Sequence, residues 1–360
     1  MSGGLRRSLT DLACRALQAT LPPRLQSWGW AVRCEAAEIP NDTKALMFVL
    51  DGFCGLMPRA LTLHLLHPFA SLIGAVTLGL MYMAIAEAPV RYLAINLGAL
   101  VVGLILTALL GRTVFARRKW ASGSIAVMAL ALLATALLGN DVDGVARWVR
   151  LGGLPVQPSL ILLPAMLVAF ARCSDRLATA GMIAAATALA IQPDRGMAGM
   201  LAAGLAVLAI MRTDWHVTTS LGAAIAGFAL TIARADTLST TPYVDQILYS
   251  SFNVHLAAGA AVLCGSVLLI VPAIIGLWLD PANRRIYVVF GTVWVVTIVA
   301  AALGNYPTPI VGYGGSAIIG YALSMLVLPT RAGANARDRT GACDEADSPR
   351  LDRHLCVSLA

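Results

Sequence analysis

Long stretches without a single formal charge set the first limit on what this chain can become. Residues 122 to 139 read SGSIAVMALALLATALLG and residues 254 to 279 read VHLAAGAAVLCGSVLLIVPAIIGLWL, with no Asp, Glu, Lys or Arg in either. A bilayer core takes about 20 apolar residues per helix and requires every backbone polar group to be satisfied within the span. Runs of this length fit membrane helices. Composition excludes the soluble alternative: 58% hydrophobic and 12% charged residues leave too little polar material to cover a water-soluble globule of 360 residues. Period-2 alternation is absent along the chain, which argues against a β-barrel.

Breaks at charges and turn residues divide the sequence into ten spans: 66–86, 91–111, 122–139, 157–171, 177–193, 196–211, 217–233, 254–279, 286–304 and 313–329. The fifth and sixth are short and separated only by Asp194 and Arg195, the mark of a tight hairpin. The expected fold class is an all-α polytopic membrane protein. Basic residues gather before the first span and after the second, fourth, sixth and eighth, at positions such as Arg59, Arg117, Arg118, Lys119, Arg172, Arg176, Arg212, Arg284 and Arg285. The opposite loops hold only Arg91, Arg147, Arg150, Arg195 and Arg234. The positive-inside rule then puts both termini in the cytoplasm. The net charge of +7 is explained by topology, and no basic stripe with interleaved aromatics suggests a nucleic-acid partner.

Residues 1–65 are expected to form a cytoplasmic or interfacial N-terminal segment with two amphipathic helices, one of them starting after the N-cap residues Asn41 and Asp42. Residues 66–330 form the membrane domain, and 331–360, rich in Arg, Asp, Gly and Ala, form a disordered cytoplasmic tail. Arg6 and Arg7 are followed by a mixed polar stretch, so no cleavable signal pattern is read. Cys14, Cys34, Cys54, Cys173, Cys343 and Cys356 fall on the basic side and Cys264 in a span, which predicts neither a disulfide framework nor a zinc site.

Ionisable groups near a membrane core are costly, so chemistry is sought where spans end at the basic-poor face. Four segments open there: GNDVDGVARWVRLGGLPVQPS, IQPDRGMAG, ARADTLSTTPYVDQILYSSF and GNYPTPIVGYGGS. A nucleophilic hydroxyl needs a positioned base, which Asp245 can supply once desolvation raises its pKa. An anionic leaving group needs cations, which Arg147, Arg150 and Arg195 can supply. Asp194, directly before a helix, also suits an N-cap, and Asp245 also suits a solvated loop.

GVARWVRLGG followed by QPS, then QPDRG, then a proline leading to YGGS resembles, in order and sidedness, the SEDS family of shape, elongation, division and sporulation proteins. The resemblance covers about residues 66 to 330 and implies a ten-span SEDS-like fold. It further implies a peptidoglycan glycosyltransferase of the bacterial inner membrane that polymerises lipid II on the outer side, with a class B penicillin-binding protein as partner. In the family an acid in the long loop before the eighth span acts as base, and Asp245 in PYVDQIL occupies that place. Arg147, Trp148, Gln157, Ser159, Gln192, Asp194, Arg195, Tyr313, Gly314, Gly315 and Ser316 are the implied substrate-binding set. No cofactor is evident, and a divalent cation, Mg or Mn, would accompany the pyrophosphate. Where the family continues Gln-Pro-Ser with an acid and, one turn later, a lysine, this chain has Leu160 and Leu163. That departure keeps a second reading open: a non-catalytic membrane scaffold that regulates the penicillin-binding protein. A transporter of lipid-linked precursors ranks third, because the halves show no internal repeat.

Overall fold

The computed structural model describes residues 3–21, 26–65, 69–110, 118–142, 145–151, 154–234 and 240–329. The expected tail disorder, Cys343 and Cys356 lie outside the described residues.

Among the described residues ten apolar spans carry the fold, one of them built from two helices. They are α4 (Ala70–Ile85), α5 (Val90–Leu110), α6 (Arg118–Leu138), α7 (Pro158–Arg172), α8 (Arg176–Ile191), α9 (Arg195–Met211), α10 (Trp215–Ile232), the pair α12 (Leu256–Leu268) and α13 (Val271–Leu279), α14 (Arg284–Leu303) and α15 (Gly315–Leu326). Five of these stretches are long and apolar enough to cross a membrane by length alone, and five are shorter. The short α7 and α15 are interior helices. Leu163 to Ala171 of α7 is buried without interruption, and a helix apolar all round belongs in the centre of a bundle. Gly320 lets α15 lie against it: a Cβ there would come within 2.2 Å of the Leu160 carbonyl oxygen.

The sidedness of α5 shows what surrounds the bundle. Leu97, Val101, Ile105 and Leu109 recur every fourth residue and are all exposed, whereas Asn96, Ala99, Leu100, Gly103 and Thr107 are buried. Residues four apart share one helix face. An outward stripe of large aliphatics with small and polar groups inside inverts the pattern of a soluble helix and suits hydrocarbon as solvent. Inside, Phe290, Trp294 and Tyr321 form an aromatic centre with ring centroids 5.5 and 4.8 Å from Tyr321. The eighth span is broken at Leu269 and Ile270, ahead of Pro272. Tyr321 Oη donates to the carbonyl of Leu269 at 3.0 Å, satisfying an acceptor that the break exposes.

Three differences from the sequence reading have physical causes. The N-terminal segment holds three helices, α1 (Gly3–Thr20), α2 (Gln26–Glu38) and α3 (Asp42–Leu65). The extra one, α1, is polar on average, yet it buries Thr10, Cys14 and Leu17 at helical spacing, with Leu21 buried just past its end. Asn41 does cap α3, accepting from the amides of Thr43 and Lys44 at 3.0 and 3.2 Å. The long segment before the eighth span contains a short helix, α11 (Ile247–Val254). Between α6 and α7 lies a three-stranded antiparallel sheet, β1 (Asn140–Val142), β2 (Val145–Leu151) and β3 (Leu154–Val156), in an otherwise helical chain. Its register pairs Asn140 with Trp148 and Leu151 with Leu154. Asp143-Gly144 and Gly152-Gly153 separate the strands in the sequence, and both dipeptides are hairpin signatures.

Candidate functional site

The segments that join α6 to α7, α8 to α9, α10 to α11 and α14 to α15 meet at one end of the bundle. A cavity of about 410 Å³ opens there. Its wall includes Arg147, Trp148, Gln157, Asp194, Asp245, Tyr313, Gly314, Gly315 and Ser316, together with Arg150, Thr241, Asn305, Tyr306 and Thr308.

Its floor is a buried polar knot. Asp194, 1% exposed, accepts at Oδ2 from Gln157 Nε2 at 3.0 Å and from Ser159 Oγ at 3.1 Å, and at Oδ1 from the Met197 amide at 3.3 Å. The last contact makes Asp194 the N-cap of α9. Arg147, on β2 and 4% exposed, donates to the carbonyl of Pro193, the residue before it. Its Nε is buried with no acceptor among the described residues. A desolvated guanidinium with an unused donor on a cavity wall favours an anion.

A second wall is the turn into α15. Gly314 has φ +153°, a conformation that side-chain-bearing residues rarely adopt. Asn96, buried in α5, clamps this turn: its Nδ2 donates to the Gly312 carbonyl at 2.8 Å and its Oδ1 accepts from the Gly314 amide at 3.1 Å. From the other side the Gln157 amide donates to Ser316 Oγ at 3.0 Å. Tyr313 stacks on Tyr92 with ring centroids 4.0 Å apart, and the Arg91 guanidinium sits 5.1 Å from the Tyr92 ring. The paired glycines therefore allow a tight, doubly clamped turn at the mouth of the cavity.

Asp245 comes from the segment before α11, which is sewn to the segment before α15 by main-chain bonds. The Thr308 amide donates to the Val244 carbonyl at 2.9 Å and the Tyr313 amide to the Tyr243 carbonyl at 2.7 Å, with a bridge between Asp245 and Pro307. Tyr243, Gln246 and Ile310, all in these two segments, have φ between 57° and 69°. Non-glycine residues in this region cost free energy and persist only where surrounding structure enforces them. Asp245 is half-buried, and its carboxylate accepts from the Thr241 amide at 2.8 Å. Burial pushes its carboxyl above the ordinary carboxylate range, while the Thr241 amide pulls it partly back.

Three residues of the sequence-derived set lie outside the wall. Ser159 sits behind it as a donor to Asp194. Gln192 is buried and donates to the Leu132 carbonyl at 3.1 Å, tying the end of α8 to α6. Arg195 turns away and caps the end of α10, donating to the carbonyls of Thr231 at 3.0 Å, Ile232 and Arg234. The sequence reading missed Asn96, whose signal is an amide inside an apolar span, and Thr308, whose Oγ1 is buried without a partner among the described residues. Leu160 lines the cavity where the SEDS pattern has an acid, and Leu163 is fully buried. Among the described residues the cavity wall contains two carboxylates, one of them already holding three donors.

No protein-family model matches the sequence, and no curated protein matches it. Among solved structures the chain is similar to the rod shape determining protein RodA of Thermus thermophilus, with a TM-score of 0.53 and 22% identity over 72% of this chain and 94% of that one. An aspartate-to-alanine mutant of the same RodA aligns with a TM-score of 0.52 at 22% identity over 72% and 95% of the two chains. A chain from a peptidoglycan synthase complex, described for its coordination of polymerization and crosslinking, aligns at 0.50 and 21% identity over 72% and 95%. This protein therefore has the polytopic helical fold of RodA.

Proposed function

We propose that the chain is a divergent SEDS-family glycosyltransferase that polymerises lipid II at the outer face of the bacterial inner membrane, working with a class B penicillin-binding protein. One observation carries this reading. Asp245, Arg147 and the Tyr313–Ser316 turn, scattered over 170 positions of sequence, border a single cavity in a RodA fold.

The chemistry follows from the donors and acceptors present. The Asp245 carboxylate takes the proton of the acceptor sugar's 4-hydroxyl as that oxygen bonds the donor's anomeric carbon. The bond from that carbon to the lipid pyrophosphate breaks, and the pyrophosphate leaves with the electron pair. Arg147, whose guanidinium borders the cavity, holds the departing anion. Asp194 positions rather than reacts, because its oxygens already accept three hydrogen bonds. A Mg or Mn ion bound to the pyrophosphate would add charge neutralisation.

Purified protein incubated with lipid II and a class B penicillin-binding protein is expected to yield long glycan, with none from Asp245→Ala. Equal product from both would overturn Asp245 as base. A specific observation favours a second reading: Leu160 replaces a charge in the cavity wall. If the wild type makes no polymer but co-purifies with the penicillin-binding protein and alters its crosslinking rate, the chain is a scaffold. Translocation of fluorescent lipid II by the reconstituted protein alone would instead favour a transporter.

A further inference from the structure

A second cavity, of about 210 Å³, lies at the opposite end of the bundle, where α7 ends and α14 begins. Two half-buried arginines, Arg172 and Arg285, line it with Asn283, Cys173 and an apolar side formed by Ile286 and Val327. No carboxylate is in its wall among the described residues. Arg172 Nη1 donates to the Val327 carbonyl at 2.9 Å, which fixes its guanidinium at the rim. Arg285 has no acceptor among the described residues. Asn283 gives its amide hydrogen to Asp280 at 2.9 Å and so stands oriented beside them.

Two arginines on a concave, partly apolar site whose wall holds no carboxylate among the described residues call for an anion with an apolar body. The level of the site indicates its source. Trp120, next to the wall residue Ala121, and Trp278, just before the turn that bears Asn283, are both exposed, and Trp215 is exposed at the same end of the bundle. Exposed tryptophans at span ends mark the headgroup plane of a bilayer. Arginine in that plane pairs with lipid phosphate through parallel N–H bonds. We propose that this cavity seats the phosphate of an anionic membrane phospholipid, clamped by Arg172 and Arg285, with the glycerol portion against Ile286 and Val327.

Cys173, in the wall, is a local reporter for the full chain in detergent. Iodoacetamide modification, mapped by peptide mass spectrometry, is expected to slow at Cys173 when phosphatidylglycerol is added, while Cys34, exposed on α2 in the N-terminal segment, reacts unchanged. Phosphatidylcholine and inorganic phosphate alone are expected to leave Cys173 unprotected. Arg285→Gln is expected to weaken phosphatidylglycerol about tenfold, as loss of one charge-assisted hydrogen bond would. Arg284→Gln, an exposed neighbour outside the wall, should keep wild-type protection. Equal Cys173 rates with and without phosphatidylglycerol in the wild type would overturn the proposal, as would protection that survives Arg285→Gln. Protection by inorganic phosphate alone would assign the site to a free anion and equally overturn the lipid.

Discussion

Asp194 and Asp245 border the same cavity from different segments, and their surroundings diverge. Asp194 is buried, caps α9 and holds two side chains in place, with three of its roughly four acceptor sites in use. Asp245 is half-buried on a strained segment, and one main-chain amide is its recorded donor. A carboxylate whose lone pairs are taken organises its neighbours, whereas one with free lone pairs and a raised pKa can accept a proton. Within one site, one acid is thus held by its neighbours and the other keeps acceptor capacity to spare, as the proposed base would need.

Exchanging the acids for neutral residues should break this comparison if it is wrong. Asp245→Asn is expected to lower glycan polymerisation by about 10²–10⁴-fold, the range for loss of a general base. Its stability should not fall. Burial holds the folded-state carboxyl above its ordinary value, so its contribution to stability is full below the ordinary carboxylate pKa and is lost as pH rises through the raised one. At neutral pH, asparagine therefore removes a cost. The wild-type rate should climb with pH through that raised value, and the Asp245→Asn residual rate should lack this limb. A variant that melts early and loses activity in proportion would make Asp245 structural.

Asp194→Ala should behave in the opposite sense. It removes the shared acceptor of the Gln157 side-chain amide, the Ser159 hydroxyl and the Met197 N–H in a buried floor, leaving Gln157 only its 3.2 Å bond to Ser159 Oγ, at a cost of about 3 kcal/mol. Thermal unfolding in detergent would register it, and activity per folded molecule should fall less than in Asp245→Asn. Melting at the wild-type temperature would mean that the knot supports nothing.

Asn96→Ala tests the turn that faces both acids. It leaves the Gly312 carbonyl and the Gly314 amide without their buried partner, for about 2 kcal/mol. A shift in unfolding temperature smaller than that of Asp194→Ala, with a raised KM for lipid II, would fit a clamp on the substrate wall. An unchanged KM would restrict Asn96 to packing.

How legible these features are in the sequence depends on the physics behind each. The ten apolar runs stand out because lipid demands them, and the mouth motifs stand out because polar groups at span ends are rare. Asp194 was legible both as a cap and as part of a motif, and it caps α9. Arg195 carries the same charge as Arg147, yet one caps a helix and the other lines the cavity. Only the direction of each side chain separates them, and sequence does not encode that locally. The small sheet escaped because its strands are as short as three residues, too short for a periodicity signal. Asn96 lies 216 residues from its partner Gly312, so nothing near it in the chain announces the contact.

The smallest expected effect bears most directly on how Asp245 is held. Gln246 Nε2 donates to Asn305 Oδ1 at 2.9 Å, and both residues sit where the two mouth segments meet. The bond is solvent-exposed, so Gln246→Ala should cost no more than about 0.5 kcal/mol. Main-chain bonds at Val244 and Tyr243 continue to hold the segment. If those bonds position the carboxylate, kcat should stay near the wild-type value in this variant. A loss of kcat with no loss of stability would show instead that the side-chain bond aims Asp245, since displacement of a reacting group by about 1 Å can cost 10²-fold. The substitution therefore separates placement by backbone from placement by side chain at the one acid whose geometry the chemistry needs.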